Sequence, residues 1–302
     1  MDLKKTKKKL ENLQIIQEKV ESDKNILLVN MLKLSRKLNE SYQNTLNNVS
    51  LLNYVIDNFF VSNIFIDSKP RKIIEKLNRI DSKKTLYVFI TEEQKHETDS
   101  FKRYKDYLAK TADFSKDIFI LIGEEAKRFG KENNLNVIYS VSQNANIDVL
   151  KYEISNLIKY EFLNKNIGAV KFVLNSTKIK DKCIQILPIK ENNLSNFEES
   201  TQEALAYQFS FATKNIKIYP NIEGFVNNEI SNYLKNVIAT LLFESSFFNE
   251  KNKLVHANKL ANELDEQIKT KKRKYLQLRR EREIEEIMLI SKPRKIMGGS
   301  RG

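Results

Sequence analysis

Hydrophobic positions at both ends of this chain recur every three, then four, residues. From about Asn227 to Ser291 there is no Gly and no Pro, so nothing interrupts a continuous helix. Apolar or small residues stand at Ala257, Ala261, Leu264, Ile268, Tyr275 and Leu278, the spacing of a two-stranded seam. At ~1.5 Å per residue such a helix would be roughly 100 Å long, far beyond the mean helix of a globular domain. The start of the chain repeats the pattern: Leu3, Thr6, Leu10, Leu13, Gln17, Val20, Lys24, Leu27, Met31, Leu34 and Leu38. Gln17 and Lys24 are the kind of polar interruption that fixes register. No Gly or Pro precedes Pro70. Two long terminal helices, each with one narrow seam, pair most simply with each other as an antiparallel coiled coil. The same seams could also serve a helix from another chain.

Between the helices the period shortens. Thr85–Thr91, Asp117–Gly123 and Asn134–Ser140 read as strands, separated by helical stretches at Asp99–Ala112 and Glu124–Asn133. That alternation predicts a small parallel sheet. A helix at Asp148–Phe162 leads to strands at Ala169–Asn175 and Lys182–Ile189, then a polar loop at Lys190–Ser200. The fold class is therefore α+β, a long antiparallel coiled coil with an inserted small α/β, Rossmann-like domain. The expected organisation is an N-terminal helix (1–65), the α/β domain (66–215), a C-terminal helix (216–291) and a basic flexible tail (292–302).

Composition narrows the function classes. With 30% charged and 41% hydrophobic residues the chain is ordered rather than disordered. One cysteine, Cys183, sits in an apolar run, which suits a buried small hydrophobe in a reducing compartment. The histidines, His96 and His256, are far from it and from each other, so neither a Cys–His pair nor metal-ligand spacing is present. No G-x-G-x-x-G, P-loop or nucleophile elbow follows a strand, and no apolar stretch approaches a membrane span. Acidic neighbours such as Glu92/Glu93, Glu124/Glu125 and Glu198/Glu199 read as solvated surface rather than catalytic pairs. The expectation is a chain without catalytic, cofactor-binding or metal-binding residues.

Charge is uneven within a net +13. Lys4, Lys5, Lys7, Lys8 and Lys9 crowd the N-terminus. Lys269, Lys271, Lys272, Arg273, Lys274, Arg279 and Arg280 follow one another without an intervening acid. Antiparallel pairing would set both clusters on the same part of the coil. Such a collar repels itself unless an acidic partner surrounds it. Nucleic acid is the competing partner, but no base-stacking platform beyond Tyr275 and no nucleic-acid module accompanies the basic run. A free-standing coiled-coil scaffold is a further alternative.

The ordered motifs resemble the gamma subunit of F-type ATP synthases. Tyr233-Leu234, Ile238, Leu241-Leu242 and Glu244-Ser245 match that family's Y-L-x3-I-x2-(A/L)-L-(L)-E-S run, and Lys253-Leu254 falls on its R-M pair. Tyr275, Arg279, Glu286 and Ile287 fall on Y-N-K-A-R-Q-A-x-I-T-Q-E-(I/L), with Ile268 on an aliphatic position before it. Leu10, Leu13, Gln14 and Gln17 fit I-x-x-V-Q-N-T-Q; Ile186-Leu187-Pro188-Ile189 looks like L-L-P-(I/L), and Leu174-Asn175 like the end of a (V)-Y-N strand. Three features depart. Thr91–Thr98 stands where the family has S-D-R-G-L-C-G-G; Ile26–Ser35 replaces A-M-K-M-V-(A/S)-A-A-K; and Leu289-Ile290, then Lys292-Pro293-Arg294-Lys295, stand where small residues usually close the last helix.

The resemblance implies the non-catalytic central shaft of a rotary ATPase, turning inside three alpha- and three beta-like subunits that hold ATP or ADP and Mg. An epsilon-like or output subunit could join them. Arg279 matches the family's arginine that bonds to loops of the catalytic subunits, with Arg280 replacing a glutamine. Lys269, Lys271, Lys272, Arg273 and Lys274 would face acidic lever ends of those subunits, and Glu286 would be a further contact. The missing glycine-rich loop implies a diverged paralogue with another output, such as gliding motility, rather than the ordinary proton-translocating subunit. It would be cytoplasmic, peripheral to the inner face of the cell membrane, touching membrane only through the complex.

Overall fold

A computed structural model describes residues 3–67, 84–92, 101–142, 146–164, 167–176, 183–191, 218–219 and 221–291. His96, the 93–98 part of the departed loop, Glu198/Glu199 and the 292–302 tail lie outside these residues. Helix α1 spans Leu3–Asn58. Strand β1 (Lys84–Ile90), α2 (Lys102–Thr111), β2 (Ile118–Ile122), α3 (Glu124–Glu132), β3 (Val137–Val141), α4 (Ile147–Asn164), β4 (Ile167–Val173) and β5 (Ile184–Leu187) follow. A short 3-10 turn at Ile189–Glu191 precedes α5 (Ile222–Ser291). α5 begins before Asn227 and takes in Gly224. The reason is a cap: the Asn221 side-chain oxygen accepts the Gly224 N–H at 2.6 Å, satisfying a donor that the first turn leaves open.

The chain forms two compact units, one from residues up to Asn30 and from Lys251 onward, the other Met31–Glu250. In the second, the sheet order is β3-β2-β1-β4-β5. β1 pairs parallel with β2 and β4, and β2 with β3, but β4 and β5 are antiparallel, so the sheet is mixed. β1 and β2 are near-continuous apolar runs because both faces of the sheet are covered. Leu86, Val88, Ile90, Ile118, Ile120 and Ile122 face one core, which also takes Ile154, Ile158 and Phe162 of α4 and Tyr233, Leu234 and Val237 of α5. Tyr87, Phe89, Phe119 and Leu121 face the other, against Tyr104 and Leu108 of α2 and Ala126 and Phe129 of α3.

Within this unit α1 and α5 run antiparallel: Leu38 packs with Ala239 and Phe243, and Leu52 and Val55 share the core with Val226 and Ile230. Polar rungs interrupt the apolar contact. Thr45 and Thr240 hydroxyls lie 3.3 Å apart, and Asn48 donates to Glu229 at 2.7 Å while accepting from Asn236 at 2.8 Å. Tyr233 Oη donates to the Ile186 carbonyl at 2.9 Å, tying α5 to β5.

The first unit is a two-helix coiled coil. Leu13, Val20, Ala261 and Leu264 form its core, and Gln17 hydrogen-bonds Asp265. On α1, Leu3, Leu10, Leu13, Gln17, Lys24 and Leu27 are half-buried and Thr6 and Val20 buried, while the residues between them are exposed. On α5, Leu254, Ala257, Ile268, Lys271, Tyr275 and Leu278 are half-buried and Ala261 and Leu264 buried. Small Ala257 and Ala261 let the helices approach closely, and Leu264 contributes about 1.5–3 kcal/mol by leaving water. Leu264→Asp is expected to abolish seam helicity by circular dichroism, since an unpaired buried charge costs several kcal/mol. Ile15→Asp, at an exposed position, should leave it unchanged; equal effects would contradict the seam.

Gly123, between β2 and α3, has φ of 97°, and a Cβ there would meet the Thr91 carbonyl oxygen at 2.1 Å. Gly123→Ala is expected to cost at least about 2 kcal/mol, combining left-handed strain with a backbone clash. An unaltered denaturation midpoint would show that the β1–β2 end does not need this approach.

Candidate functional site: the basic end of the coiled coil

An α/β sheet offers ligands the carboxyl ends of its strands and the N-terminus of the helix that follows. Among the described residues, the N-terminus of α3 is capped by the chain itself. Thr91 N donates to the Ile122 carbonyl at 2.8 Å, and the Thr91 hydroxyl accepts the Ala126 N–H at 2.9 Å. Thr91 thus caps α3 from a neighbouring strand, and Glu124 and Glu125 add negative charge to the same turn. Gly123 brings its backbone against the Thr91 carbonyl at the same end of the sheet. Between β1 and β4, where the strand order switches direction, Asn175, Ser176 and Glu244 are buried, and Ser176 donates to Glu244 at 2.6 Å. Glu92 is buried too, unlike the solvated position its sequence neighbours suggest.

The remaining candidates read as packing and surface. Cys183 is half-buried with its sulfur 2.9 Å from Tyr107 Oη; burial, then the thiol, pushes that hydroxyl well above its ordinary range. Glu124 pairs with Lys127, and Glu125 with Lys105 and Arg128, as solvated ion pairs. Among the described residues, no group of three His, Cys, Asp or Glu could hold a metal, and no helix is long and apolar enough to cross a membrane.

The other sequence-predicted residues lie on the surface of the two-helix unit. Lys269, Lys272, Arg273, Lys274, Arg279 and Arg280 are exposed, as are Lys4, Lys5, Lys7, Lys8 and Lys9 on the partner helix. Lys271 is different: it is half-buried at a seam position. With Gln17 set against Asp265 and the helices antiparallel, Lys271 lies at the level of Leu10, its stem in the seam and its ammonium reaching out. The same alignment brings the N-terminal lysines beside the Lys269–Arg280 run. Arg279 and Glu286 are engaged along their own helix, Arg279 with Glu283 at 2.9 Å and Arg282 with Glu286 at 3.1 Å. Such exposed pairs are worth only about 0.3–0.5 kcal/mol, so they exchange readily for a partner's groups.

Sequence periodicity did not single out a second component. Every residue from Arg279 to Ser291 is exposed, including Ile284, Ile287, Met288, Leu289 and Ile290. On α1, Ile15, Ile26, Val29 and Leu32 are exposed as well. All but Leu289, which continues the three-four spacing beyond Leu278, stand off the seam, and apolar residues at outward positions of a coiled coil were the available signal. A surface both cationic and aliphatic is chemically suited to an acidic, partly apolar protein. Thr91→Val should remove the α3 cap at a cost of about 1 kcal/mol. Amide exchange at Ala126 would then quicken; unchanged exchange would show that the cap does not close this helix end.

No family model matches the chain. It is 34% identical over 295 residues to the uncharacterised protein UU050 of Ureaplasma parvum serovar 3, covering 97% of this chain and 94% of that protein. Among solved structures it bears a loose likeness to chains of rotary complexes. One belongs to the rotor of the Euglena gracilis mitochondrial ATP synthase, at 12% identity and a TM-score of 0.45, covering 92% of this chain and 98% of that one. Another lies in the OSCP/F1/c-ring assembly of the same synthase, at 12% and 0.46, covering 95% and 92%. A third is from the central stalk and c-ring of the Tetrahymena thermophila mitochondrial ATP synthase, at 15% and 0.41, covering 78% and 99%.

Proposed function

We propose that this chain, which belongs to one family with the Ureaplasma parvum protein UU050, is the central shaft of an F-type-like rotary ATPase. The observation that carries the reading is the ordered set of gamma-like motifs on an antiparallel pair of terminal helices flanking an α/β sheet. Tyr233 and Glu244 bond α5 to the sheet side of the body through Ile186 and Ser176. Tyr275 and Leu278 continue the seam, and Arg279 and Glu286 stand on the exposed end beyond it.

The shaft turns inside a ring of three alpha-like and three beta-like subunits, which carry the nucleotide and Mg. Each orientation of an asymmetric shaft favours one nucleotide state of the ring, so binding free energy moves the states in fixed order. The exposed end of α5 supplies an aliphatic bearing through Ile284, Ile287 and Ile290, and the lysine collar supplies attraction spread over a surface that slides. Arg279 leaves Glu283 for a ring loop, a bidentate donor for a carboxylate or carbonyl. The absence of the glycine-rich sequence after β1 favours a diverged paralogue with another output, gliding motility among them, over an ordinary proton-translocating subunit. An epsilon-like or output subunit completes the assembly, which sits in the cytoplasm at the inner face of the cell membrane.

The purified chain is expected to hydrolyse no ATP alone and to co-purify with P-loop ATPase subunits as a 3:3:1 core. Turnover by the isolated chain, or failure to join any such ring, would overturn the reading. Reversing Lys269, Lys272, Arg273 and Lys274 to Glu should weaken assembly in a graded, salt-sensitive way, because each exposed pair contributes only about 0–1 kcal/mol. Arg279→Ala should weaken it more per residue. A collar variant that assembles normally but loses affinity for RNA or DNA would reassign the cluster to nucleic acid.

A further inference from the structure

The outer face of α4 carries Val149, Tyr152, Tyr160 and Leu163 at helical spacing, all at least half exposed. An aromatic and aliphatic stripe of that kind on a surface helix is the mark of an interaction site. Its flank toward α5 is cationic. Lys159 Nζ donates to Ser231 Oγ at 2.7 Å, and Lys235 Nζ lies 5.1 Å from the centre of the Tyr152 ring. Lys151 approaches the same ring at 5.4 Å, but its charge is already met by Asp148 at 2.8 Å. Lys159 and Lys235 are both half-buried, and their partners are a hydroxyl and a ring face. Neither partner neutralises an ammonium group. The nearest acid on the stripe, Glu153, is engaged by Tyr139 Oη at 2.5 Å.

We propose that the surface formed by α4 and the Ser231–Lys235 turn of α5 docks an acidic amphipathic segment of a partner protein. Carboxylates of that segment meet Lys159 and Lys235, and its apolar residues lie on Tyr152, Tyr160 and Leu163. Two half-buried cations that no acid among the described residues neutralises are the complement of such a segment, since pairing them recovers the interaction their partial desolvation has weakened. Aliphatic Val149 and Leu163 and the carboxylate of Glu153 on the same face suit a peptide better than a phosphate backbone. The surface lies in the sheet-bearing unit and does not depend on the shaft reading.

The experiment uses the full chain and a fluorescein-labelled peptide with Glu and Leu at helical spacing, carrying one benzophenone. Controls are the same peptide with Lys for Glu, an oligo-dT and phosphatidylglycerol vesicles. Cross-links should map to 147–164 and 231–235. Lys159→Glu with Lys235→Glu should reduce affinity about tenfold or more, as loss of two partly desolvated pairs requires. Tyr160→Ser should weaken binding without altering the folded spectrum, and Lys102→Glu with Lys131→Glu, exposed cations on the helices that cover the other side of the sheet, should leave it within about twofold. Absence of peptide binding, cross-links elsewhere, indifference to the Lys159/Lys235 reversal, or tighter binding of oligo-dT or vesicles would overturn the proposal. Recovery of the Lys159/Lys235 variant in the ATPase ring would show that a loss of docking is separate from loss of the shaft role.

Discussion

Antiparallel packing of α1 against α5 is the interaction on which the rest depends. It forms the whole core of the two-helix unit, through Val20, Ala261 and Leu264, and a large share of the core beneath the sheet, through Leu52, Val55, Ile230 and Val237. Neither helix has an apolar face wide enough to stand alone in water, because isolated helical stability is small without tertiary packing. The polar rungs Thr45–Thr240 and Asn48–Asn236 set the register of that packing. A single slip would bury Asn48 against apolar side chains, at the cost of an unsatisfied amide.

The body unit closes the β2–α3 end of its sheet with its own side chains and backbone. The position where an α/β sheet usually accepts an anion is filled by Thr91, with Gly123 allowing the backbones to touch. Glu244 of the E-S motif is buried and accepts from Ser176, a joint between α5 and the end of β4. The proposed contacts lie on outward faces: the lysine and arginine collar, the aliphatic end of α5, and the surface where Lys159 and Lys235 meet Tyr152 and Ser231.

The coiled-coil seam was legible in the sequence because its three-four period is local, and residue after residue from Leu3 to Leu38 alternates in burial as that period requires. β1 and β2 were legible as unbroken apolar runs. The pairing of β5 was not: antiparallel against β4 depends on a chain reversal that no local period records. The uninterrupted run read from about Asn227 begins a turn inside α5, which starts at Ile222 with Gly224 in its first turn and the Asn221 side chain as its cap. Lys271 read as part of the collar by its charge, although its spacing places it in the seam. The surface at Lys159 and Lys235 was hidden for a different reason. It exists only where α4 and α5 meet, with Ser231 and Tyr152 as unforeseeable neighbours.

The central claim is that this chain turns within an ATPase ring. The direct test fixes the ring of the purified assembly to a surface and attaches a bead to the sheet-bearing domain of this chain. ATP should drive unidirectional, stepwise rotation of the bead, and Leu264→Asp or Arg279→Ala should slow or stall it. A bead that stays fixed, or only diffuses, while the same assembly hydrolyses ATP would contradict the account.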